Sequence, residues 1–219
     1  MKSRKNKIIR IAIDATAGSG STSLALKLAQ HYKLRYLDTG KVYRWCALQI
    51  TKKKPKNEIK FLKKKIKKLN LKKLQDKKLI DDKLAQFTSQ IAQKRSIRKL
   101  VFNFQKQIAY KIPEGYKGSV LNGRDITYKI VPDANFKFYV TASIFERSRR
   151  RQKELKKLGK KIAFKEIMKS LKKRDKSDKN RKYSPLIRSP NSQLINNTRL
   201  SITECFLKVK KIIDRKLKN

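Results

Sequence analysis

One segment near the start of the sequence, residues 8–32, restricts the fold more than any other. It begins with IIRIAID, a mainly apolar run rich in β-branched residues, which predicts a strand buried on both faces of a parallel sheet. A loop of small residues from Ala15 to Gly20 follows, and LALKLAQ then places apolar residues at helical spacing. A strand, a tight loop and a helix in this order predict a phosphate-binding loop, in which backbone N–H groups converge on one anion.

This loop departs from the phosphate-loop pattern G-x-x-x-x-G-K-[ST] at two informative positions. Ala15 occupies the position of the first glycine. Ser21 occupies the position of the lysine that reaches the β- and γ-phosphates. Because the charged residue is missing, the loop by itself indicates phosphate binding only moderately, and other residues must supply the positive charge.

The chain is strongly basic. Its 219 residues suffice for one α/β domain with a hydrophobic core and a small appended lobe. They include 61 Lys and Arg against 16 Asp and Glu, and a net charge of +45 attracts polyanions such as RNA or nucleotides. The alternative is a surface that has drifted to lysine without a functional reason, because the lysines are spread along the whole sequence.

The cysteine and histidine content argues against a metal centre built from these residues. Cys46 and Cys205 lie far apart without C-x-x-C spacing, and both fall in apolar helical patterns that predict buried free thiols. His31 is the only histidine. The sequence also lacks a long apolar run and a signal-peptide pattern, so we expect a cytoplasmic protein without a membrane span.

The predicted elements alternate between strands and helices along the chain. Besides the first strand, we expect strands in LRYLDTG, GSVLNGRDI, FKFYVTA and QLINNT, with helices between them. This order predicts an α/β fold, with an open and mostly parallel five-stranded sheet covered by helices on both faces.

A Lys-rich stretch at residues 51–80 interrupts this alternation. Leu62, Ile66 and Leu69 lie at helical spacing among lysines, which is typical of a solvated amphipathic helix on a small lobe. A helix that contacts RNA or a membrane surface is the alternative. We expect a single domain, with its core over about 7–50 and 111–219 and its lobe over about 51–110.

Polar groups follow two of the predicted strands directly. Asp38-Thr39-Gly40 is followed by Arg44, and Gly123-Arg124-Asp125 ends another strand. Open parallel sheets bind ligands at the carboxyl ends of their strands, so these side chains should converge there. Arg124 offers a bidentate fork to a phosphate, and Asp125 offers an acceptor to a base or a metal. A surface ion pair between Asp38 and Arg44 is the alternative.

Two further basic clusters lie in the second half of the chain. One predicted helix carries four arginines that repel one another unless an anion lies among them, namely Arg147, Arg149, Arg150 and Arg151. In RDKSDKNR at 174–181, Asp178 is one turn from Arg174 and from Arg181, which fits either a helical ion pair or a ribose-and-phosphate site. These clusters and the loop suit phosphoryl transfer, which depends on positioning, Mg²⁺ and positive charge.

The order of these motifs resembles that of the bacterial cytidylate kinases, which are nucleoside monophosphate kinases. IAIDATAGSGSTS is similar to the family's I-A-I-D-G-P-A-G-S-G-K-S-T, and LDTGKVYR keeps L-D-T-G-x-x-Y-R. NGRDITYKIVPDA is similar to D-G-R-D-I-G-T-x-x-x-P-D-A, and RDKSDKNR keeps R-D-x-x-D-x-N-R. The helix motif T-A-S-x-x-x-R-x-x-R-R begins at Thr141, and Ser89-Gln90 with Arg98 fits the family's Ser-Gln…Arg spacing. The resemblance covers about residues 7–215, apart from 51–80.

The resemblance implies a P-loop fold with a small nucleotide-binding lobe, a helical lid over about 147–181, and phosphorylation of CMP and dCMP by ATP. Mg²⁺ would be carried by ATP and lie near Thr22. The residues that would hold the ATP phosphates are Ala15, Thr16, Ala17, Gly18, Ser19, Gly20, Ser21 and Thr22. The acceptor nucleotide would be bound by Thr39, Arg44 and Arg124 at its phosphate, by Ser89, Arg98 and Asp125 at the cytosine, and by Asp178 and Arg181 at the ribose. The residues around the transferring phosphoryl group would be Arg147, Arg150, Arg151 and Arg174.

Three departures from the family pattern bear on activity. Ser21 replaces the lysine, Thr127-Tyr128 replaces a Gly-Thr pair, and the lobe is shorter and richer in lysine. Loss of one preorganised charge should lower the rate about 10²–10³-fold, unless Lys27 or a lid arginine replaces it. The alternatives are a non-catalytic nucleotide- or RNA-binding protein on the same fold, and more distantly a kinase for AMP or shikimate. The resemblance also implies a monomer.

Overall fold

A parallel sheet of five strands forms the centre of the molecule, in the order β2-β3-β1-β4-β5. The computed structural model describes residues 8–80 and 82–218. The strands are Ile9–Ala15 (β1), Leu34–Asp38 (β2), Gly118–Gly123 (β3), Phe136–Thr141 (β4) and Gln193–Asn196 (β5). The predicted fold class is therefore confirmed, and all five predicted strands are found.

Helices cover both faces of this sheet. The helices are Ser21–Tyr32 (α1), Thr39–Lys53 (α2), Glu58–Ile66 (α3), Asp82–Ile91 (α4), Arg95–Tyr110 (α5), Ile144–Lys157 (α6), Phe164–Asn180 (α7) and Ile202–Lys218 (α8). Shorter turns of helix occur at Lys72–Gln75, Lys77–Ile80 and Ile126–Ile130.

The two faces of β1 explain how the layers assemble. Ala12 packs into a core with α2 and α5, whereas its neighbours Ile11 and Ile13 pack into a second core with α1 and α8. Successive side chains of a strand point to opposite faces, so a strand buried on both sides is mainly apolar on both of them. The mainly apolar run IIRIAID therefore favours a central position in the sheet.

The Lys-rich segment is attached to the α2 side of the molecule. Leu62 of α3 and Leu69 are buried in the same core as α2 and α5, while the lysines around them are mainly exposed. Burial of one apolar side of α3 fits the predicted amphipathic helix. At its far end, α5 is joined to β3 because the Ser119 hydroxyl donates to the Ala109 carbonyl at 2.8 Å. The lobe limits of 51–110 remain a prediction.

Two helices after β4 form a pair, α6 and α7. Ser143 caps α6 by accepting a hydrogen bond from the N–H of Glu146, as its position before the helix predicts. Gly159 follows α6 with φ of +73°, a left-handed conformation that favours glycine. This pair corresponds to most of the predicted lid.

The two cysteines are buried free thiols, as predicted. Burial raises the pKa of Cys46 to about 12, so this thiol is unreactive at neutral pH. None of the helices in the described part of the chain is both long and apolar enough to cross a membrane.

Candidate active site

The 15–22 loop connects β1 to α1 and has the backbone of an anion-binding loop. Gly18 and Gly20 have φ of +72° and +83°, which a side chain would strain. Gly20 is the N-cap of α1 and has no side chain with which to cap it, so the first N–H groups of the helix lack an intrahelical partner. The helix N-terminus therefore presents unsatisfied donors and a positive dipole end beside the loop.

One side of this loop is fixed by an ion pair between α6 and α7. Arg147 and Asp175 are buried and lie 2.6 Å apart. Arg147 also donates to the carbonyl of Ala17 at 2.8 Å and to that of Ala142 at 2.9 Å. Asp175 accepts from the Ala17 N–H at 3.1 Å. Both main-chain polar groups of Ala17 are thus held by side chains.

The other side of the loop is fixed from the segment after β5. Asn197 is buried and donates to the carbonyl of Ser19 at 2.7 Å. Arg150 donates to Asn197 Oδ1 at 3.0 Å and to the carbonyls of Asn197 and Leu200. Its guanidinium also lies 3.4 Å from the Ser19 carbonyl. Arg150 is therefore the cation of α6 that lies beside Gly20.

The remaining predicted cations lie elsewhere. Lys27 places its ammonium over the ring of Phe206, 5.9 Å from the centroid, on the side of α1 that faces α8. Arg151 pairs with Glu154 at 2.7 Å. Ser21 itself is buried at the first turn of α1. In this arrangement Lys27 is not directed to the loop.

An oxygen-rich group lies where β2 and β3 end beside the first turn of α1. Thr22 donates to Asp38 Oδ2 at 3.3 Å and accepts from Asn122 Nδ2 at 3.3 Å. Asp38 also caps α2 by accepting from the Gly40 N–H at 2.9 Å. Asn122 Oδ1 is buried and has no hydrogen-bond partner among the described residues. A buried polar oxygen without a partner normally indicates an absent water, ion or ligand.

A buried ion pair joins α5 to the turn after β3. Arg98 Nη2 and Asp125 Oδ2 lie 2.5 Å apart, and both residues are more than nine-tenths buried. Arg98 also donates to the Ala92 carbonyl at 2.9 Å and lies over the ring of Tyr43. Burial alone lowers the pKa of Arg98, but Tyr43 and Asp125 outweigh this effect and raise it. Arg98 therefore stays charged in this site.

Three arginines surround one carboxylate in what we term the Asp178 cluster, Arg124, Arg174, Asp178 and Arg181. Arg124 donates to Asp178 at 2.7 Å, Arg181 lies at 3.4 Å, and Arg174 lies at 4.0 Å. Although burial raises the pKa of Asp178, the three arginines outweigh this effect and lower it. The cluster carries more positive than negative charge, which suits a phosphate.

Arg174 is the least neutralised member of this cluster. Its side chain is 40% exposed. Its pKa is nevertheless lowered to about 10, first by desolvation and then by repulsion from Arg124. Arg174 remains protonated at neutral pH, and an anion placed beside it would relieve the repulsion.

Thr39 and Gly123 bring β2 and β3 into close contact at the same edge. The Thr39 hydroxyl donates to the Asn122 carbonyl at 2.9 Å. A Cβ on Gly123 would lie 2.2 Å from that hydroxyl, so only glycine fits. Arg44 of α2 donates to the Leu79 carbonyl at 2.7 Å, and Ser89 is half-buried on α4.

Asp14 links the 15–22 loop to the turn that carries Arg124 and Asp125. It is fully buried at the end of β1 and accepts from the N–H groups of Ile126 and Thr127 at 2.7 and 3.0 Å. The Thr127 hydroxyl adds a third bond at 2.5 Å. Desolvation raises the pKa of Asp14 to about 6, although these bonds oppose the shift. Thr127, a departure from the family pattern, thus has a structural role.

Comparison with known proteins places this geometry in one family. The family model for cytidylate kinase matches residues 11–215. The chain belongs to the cytidylate kinase family. A cytidylate kinase of Bartonella tribocorum is 37% identical over 201 residues, which is 90% of each chain. A cytidylate kinase of Caldanaerobacter subterraneus subsp. tengcongensis is 33% identical over 224 residues, which is 97% of this chain and 98% of that one.

Comparison of structures supports the fold alone. An uncharacterized protein from Eubacterium ventriosum superimposes with a TM-score of 0.56 and 19% identity, covering 94% of this chain and 98% of that one. Family membership rests on the sequence relatives, which are identical at about one position in three.

Most of the residues predicted for the site lie in two groups, although their roles remain predictions. The loop residues lie beside Arg147 and Arg150, and the Asp178 cluster contains both Arg124 and Arg174. Sequence reasoning missed Asp14, Asp175 and Asn197. Asp14 could have been found as a lone carboxylate in an apolar strand, and Asp175 lies within the R-D-x-x-D motif. Asn197 has no comparable signal.

Proposed function

We propose that this protein transfers the γ-phosphoryl group of ATP to CMP or dCMP. The observation that carries the proposal is the arrangement at one sheet edge. Asp14, at the end of the strand that leads into the loop, holds the turn that carries Arg124 and Asp125, and α7, which carries Asp178, contacts the loop through Asp175 and Ala17. The family assignment supports a nucleoside monophosphate kinase over the non-catalytic nucleotide- or RNA-binding alternative.

The Arg98–Asp125 pair suits a cytosine in particular. An ionised carboxylate only accepts hydrogen bonds, so Asp125 matches the exocyclic amine of cytosine and repels the carbonyl that uracil has there. Arg98 donates, and can serve the cytosine ring nitrogen and carbonyl oxygen. Ser89 on α4 is proposed to complete the base contacts. We therefore expect CMP to be preferred over UMP.

The phosphate of the acceptor would lie between Thr39, Arg44 and Arg124, and its ribose beside Asp178 and Arg181. Arg174, Arg150 and Arg151 would surround the transferring group. Since phosphoryl transfer needs positioning and charge rather than a covalent intermediate, this density of guanidinium groups matches its demands. Closure of α6 and α7 would exclude water and limit hydrolysis of ATP.

The residues present also fit a magnesium ion carried by ATP. Thr22, Asp38 and the unpartnered Asn122 Oδ1 would hold it, and Mg²⁺ prefers such oxygen ligands. No group of three His, Cys, Asp or Glu side chains that could hold a metal occurs within the described residues, so most ligands would come from phosphates and water. When bound, the ion would neutralise charge on the β- and γ-phosphates.

A coupled assay for ADP tests this function directly. We expect ADP to form from ATP only when CMP or dCMP is present, and more slowly with UMP. The Asp125→Asn variant should narrow the preference for CMP over UMP, because an amide can donate as well as accept. A folded protein that binds CMP but forms no ADP at high concentration would support the non-catalytic alternative instead.

A further inference from the structure

Two main-chain carbonyls of the 15–22 loop, two residues apart, accept hydrogen bonds from side chains outside the loop. The carbonyl of Ala17 accepts from Arg147 at 2.8 Å, and the carbonyl of Ser19 accepts from Asn197 at 2.7 Å. In a trans peptide, the C=O of one residue and the N–H of the next point in opposite directions. No cis peptide occurs in the described chain. Anchoring these two carbonyls therefore directs the N–H groups of Gly18 and Gly20 to the opposite side.

Burial along the loop agrees with this orientation. Ala17 and Ser19 are buried, whereas Gly18 is exposed and Gly20 is half-buried. Among the described residues, no hydrogen bond occupies the N–H of Gly18 or of Gly20. The loop thus presents two oriented, unpaired donors on its accessible side.

We propose that Asp175 is a positioning residue for the phosphate donor, and that it acts through Arg147 and Ala17. It accepts from the Ala17 N–H at 3.1 Å and pairs with Arg147 at 2.6 Å, while Arg147 holds the Ala17 carbonyl. This closed set of bonds fixes the peptide that carries the Gly18 N–H. The inference rests on the proposed function, since it takes ATP as the ligand of the loop.

These hydrogen bonds of Asp175 and Arg147 matter more because the loop lacks the usual lysine. A loop with Ser21 in place of lysine has no charged side chain of its own, so its contribution to phosphate binding depends mainly on its main-chain dipoles. Preorganised dipoles stabilise an anion only while they stay oriented, so a loop that relies on them depends strongly on its anchors. Asp175 therefore indirectly supplies part of what a lysine would supply by its charge.

The structure offers a matched control on the same helix. Asp178 lies three residues after Asp175, and both are about equally buried, at 8% and 9% exposure. Both are paired with arginines, but Asp178 pairs with Arg124 and Arg181 in the acceptor cluster. Replacing either carboxylate removes one buried charge from α7, so general effects on that helix should be similar.

Calorimetric titration of the full chain with ATP alone, and separately with CMP alone, tests the proposal. Asp175→Asn should weaken ATP binding roughly tenfold, because ATP must then order a loop that the wild type already holds in place, and it should leave CMP binding unchanged. Asp178→Asn should do the reverse. Equal weakening of both ligands in Asp175→Asn, or unchanged ATP binding, would overturn the proposal.

A second variant covers the case in which Asp175→Asn fails to fold because Arg147 is left unpaired. The double variant Arg147→Met/Asp175→Asn removes both charges, which a buried site tolerates better. The double variant should bind ATP as weakly as Arg147→Met alone. A further loss of ATP affinity would contradict the proposal, because Asp175 would then act independently of Arg147. In addition, the Gly18 amide signal in NMR spectra should shift with ATP in the wild type and much less in the double variant.

Failure of the proposed function would look different from failure of this inference. If the wild type forms no ADP with CMP, the kinase proposal fails, but the ATP affinities of the wild type and the Asp175 variants can still be compared. If the wild type is active and Asp175→Asn binds ATP normally, only the inference fails.

Discussion

The two halves of the candidate site present different kinds of groups to the nucleotides that we propose as ligands. On the donor side, the 15–22 loop contains no charged residue and presents main-chain N–H groups at a helix N-terminus. On the acceptor side, charged side chains form ion pairs, a buried one between Arg98 and Asp125 and a partly buried one between Arg124 and Asp178. Main-chain recognition tolerates changes such as Ala15 and Ser21 as long as the backbone is held. Side-chain recognition does not, since each charge leaves a partner unpaired when it is removed.

The largest effect should follow from breaking the acceptor side at Arg98. Arg98→Met leaves Asp125 buried without its counter-charge, which typically costs about 3–5 kcal/mol of stability. We also expect loss of most CMP-dependent activity while ATP affinity is retained. Urea unfolding and separate titrations with each nucleotide would measure the two effects.

Two controls separate the charge from the helix. Arg95 lies one turn earlier on α5, is exposed, and stacks on Tyr183. Arg95→Met should change stability little. In the double variant Arg98→Met/Asp125→Asn, stability should largely return but CMP binding should not. Recovery of CMP binding as well would mean that this pair is structural and does not read the base.

The next prediction tests the donor side by restoring the missing charge. If the loop relies on its backbone alone, Ser21→Lys should raise the rate of CMP-dependent ADP formation by about 10²-fold, the usual value of one preorganised charge. An unchanged rate would mean that another cation already fills this role. Arg150 is then the candidate for that cation, because its Nη1 atom lies 3.8 Å from the position that a Cβ on Gly20 would occupy. Arg150→Met in the Ser21→Lys background would distinguish the two cases.

Asp14, which connects the donor side to the acceptor side, should make the stability of the protein depend on pH. Burial raises the pKa of Asp14 to about 6 in the folded protein, against 3.8 for an ordinary aspartate. The folded state therefore keeps this proton longer than the unfolded state, so the contribution of Asp14 falls as pH rises from about 4 to 6. This difference in pKa between the folded and unfolded states corresponds to ~3 kcal/mol. Nearby Asp125 adds to the shift by repulsion.

The Asp14→Asn variant isolates this group from the other carboxylates. The free energy of unfolding of the wild type minus that of the variant should be about 2–3 kcal/mol larger at pH 4 than at pH 7, because the protonated Asp14 side chain favours the folded state. Urea unfolding at the two pH values measures it. A constant difference would show that the three hydrogen bonds to Asp14 keep it ionised throughout.

The sequence predicted the secondary-structure elements better than it predicted the contacts that connect them. Strands, helices and the Ser143 cap follow from local patterns of apolar and capping residues, which are visible in one window. Arg98 and Asp125 both lie in recognisable motifs, but their ion pair was not predicted. The contacts of Asp14 with Thr127 and of Asp175 with Ala17 join residues 113 and 158 positions apart. Such contacts depend on packing in three dimensions, and no local pattern encodes them.

The smallest effect concerns Gln105, which lies two turns after Arg98 on the same face of α5. Gln105 is 1% exposed, and neither atom of its amide has a hydrogen-bond partner among the described residues. An unpaired buried amide destabilises a fold, so Gln105→Met should raise the free energy of unfolding by about 1 kcal/mol. Urea unfolding measures this gain, and CMP-dependent activity should stay as in the wild type. A loss of stability would show that an ordered water satisfies the amide, since removing its partner would then cost hydrogen bonds. The Arg98 and Gln105 variants together test whether a buried polar side chain of α5 stabilises the fold only when it has a partner. Arg98 is paired and should be needed, whereas Gln105 has no partner among the described residues and should be dispensable.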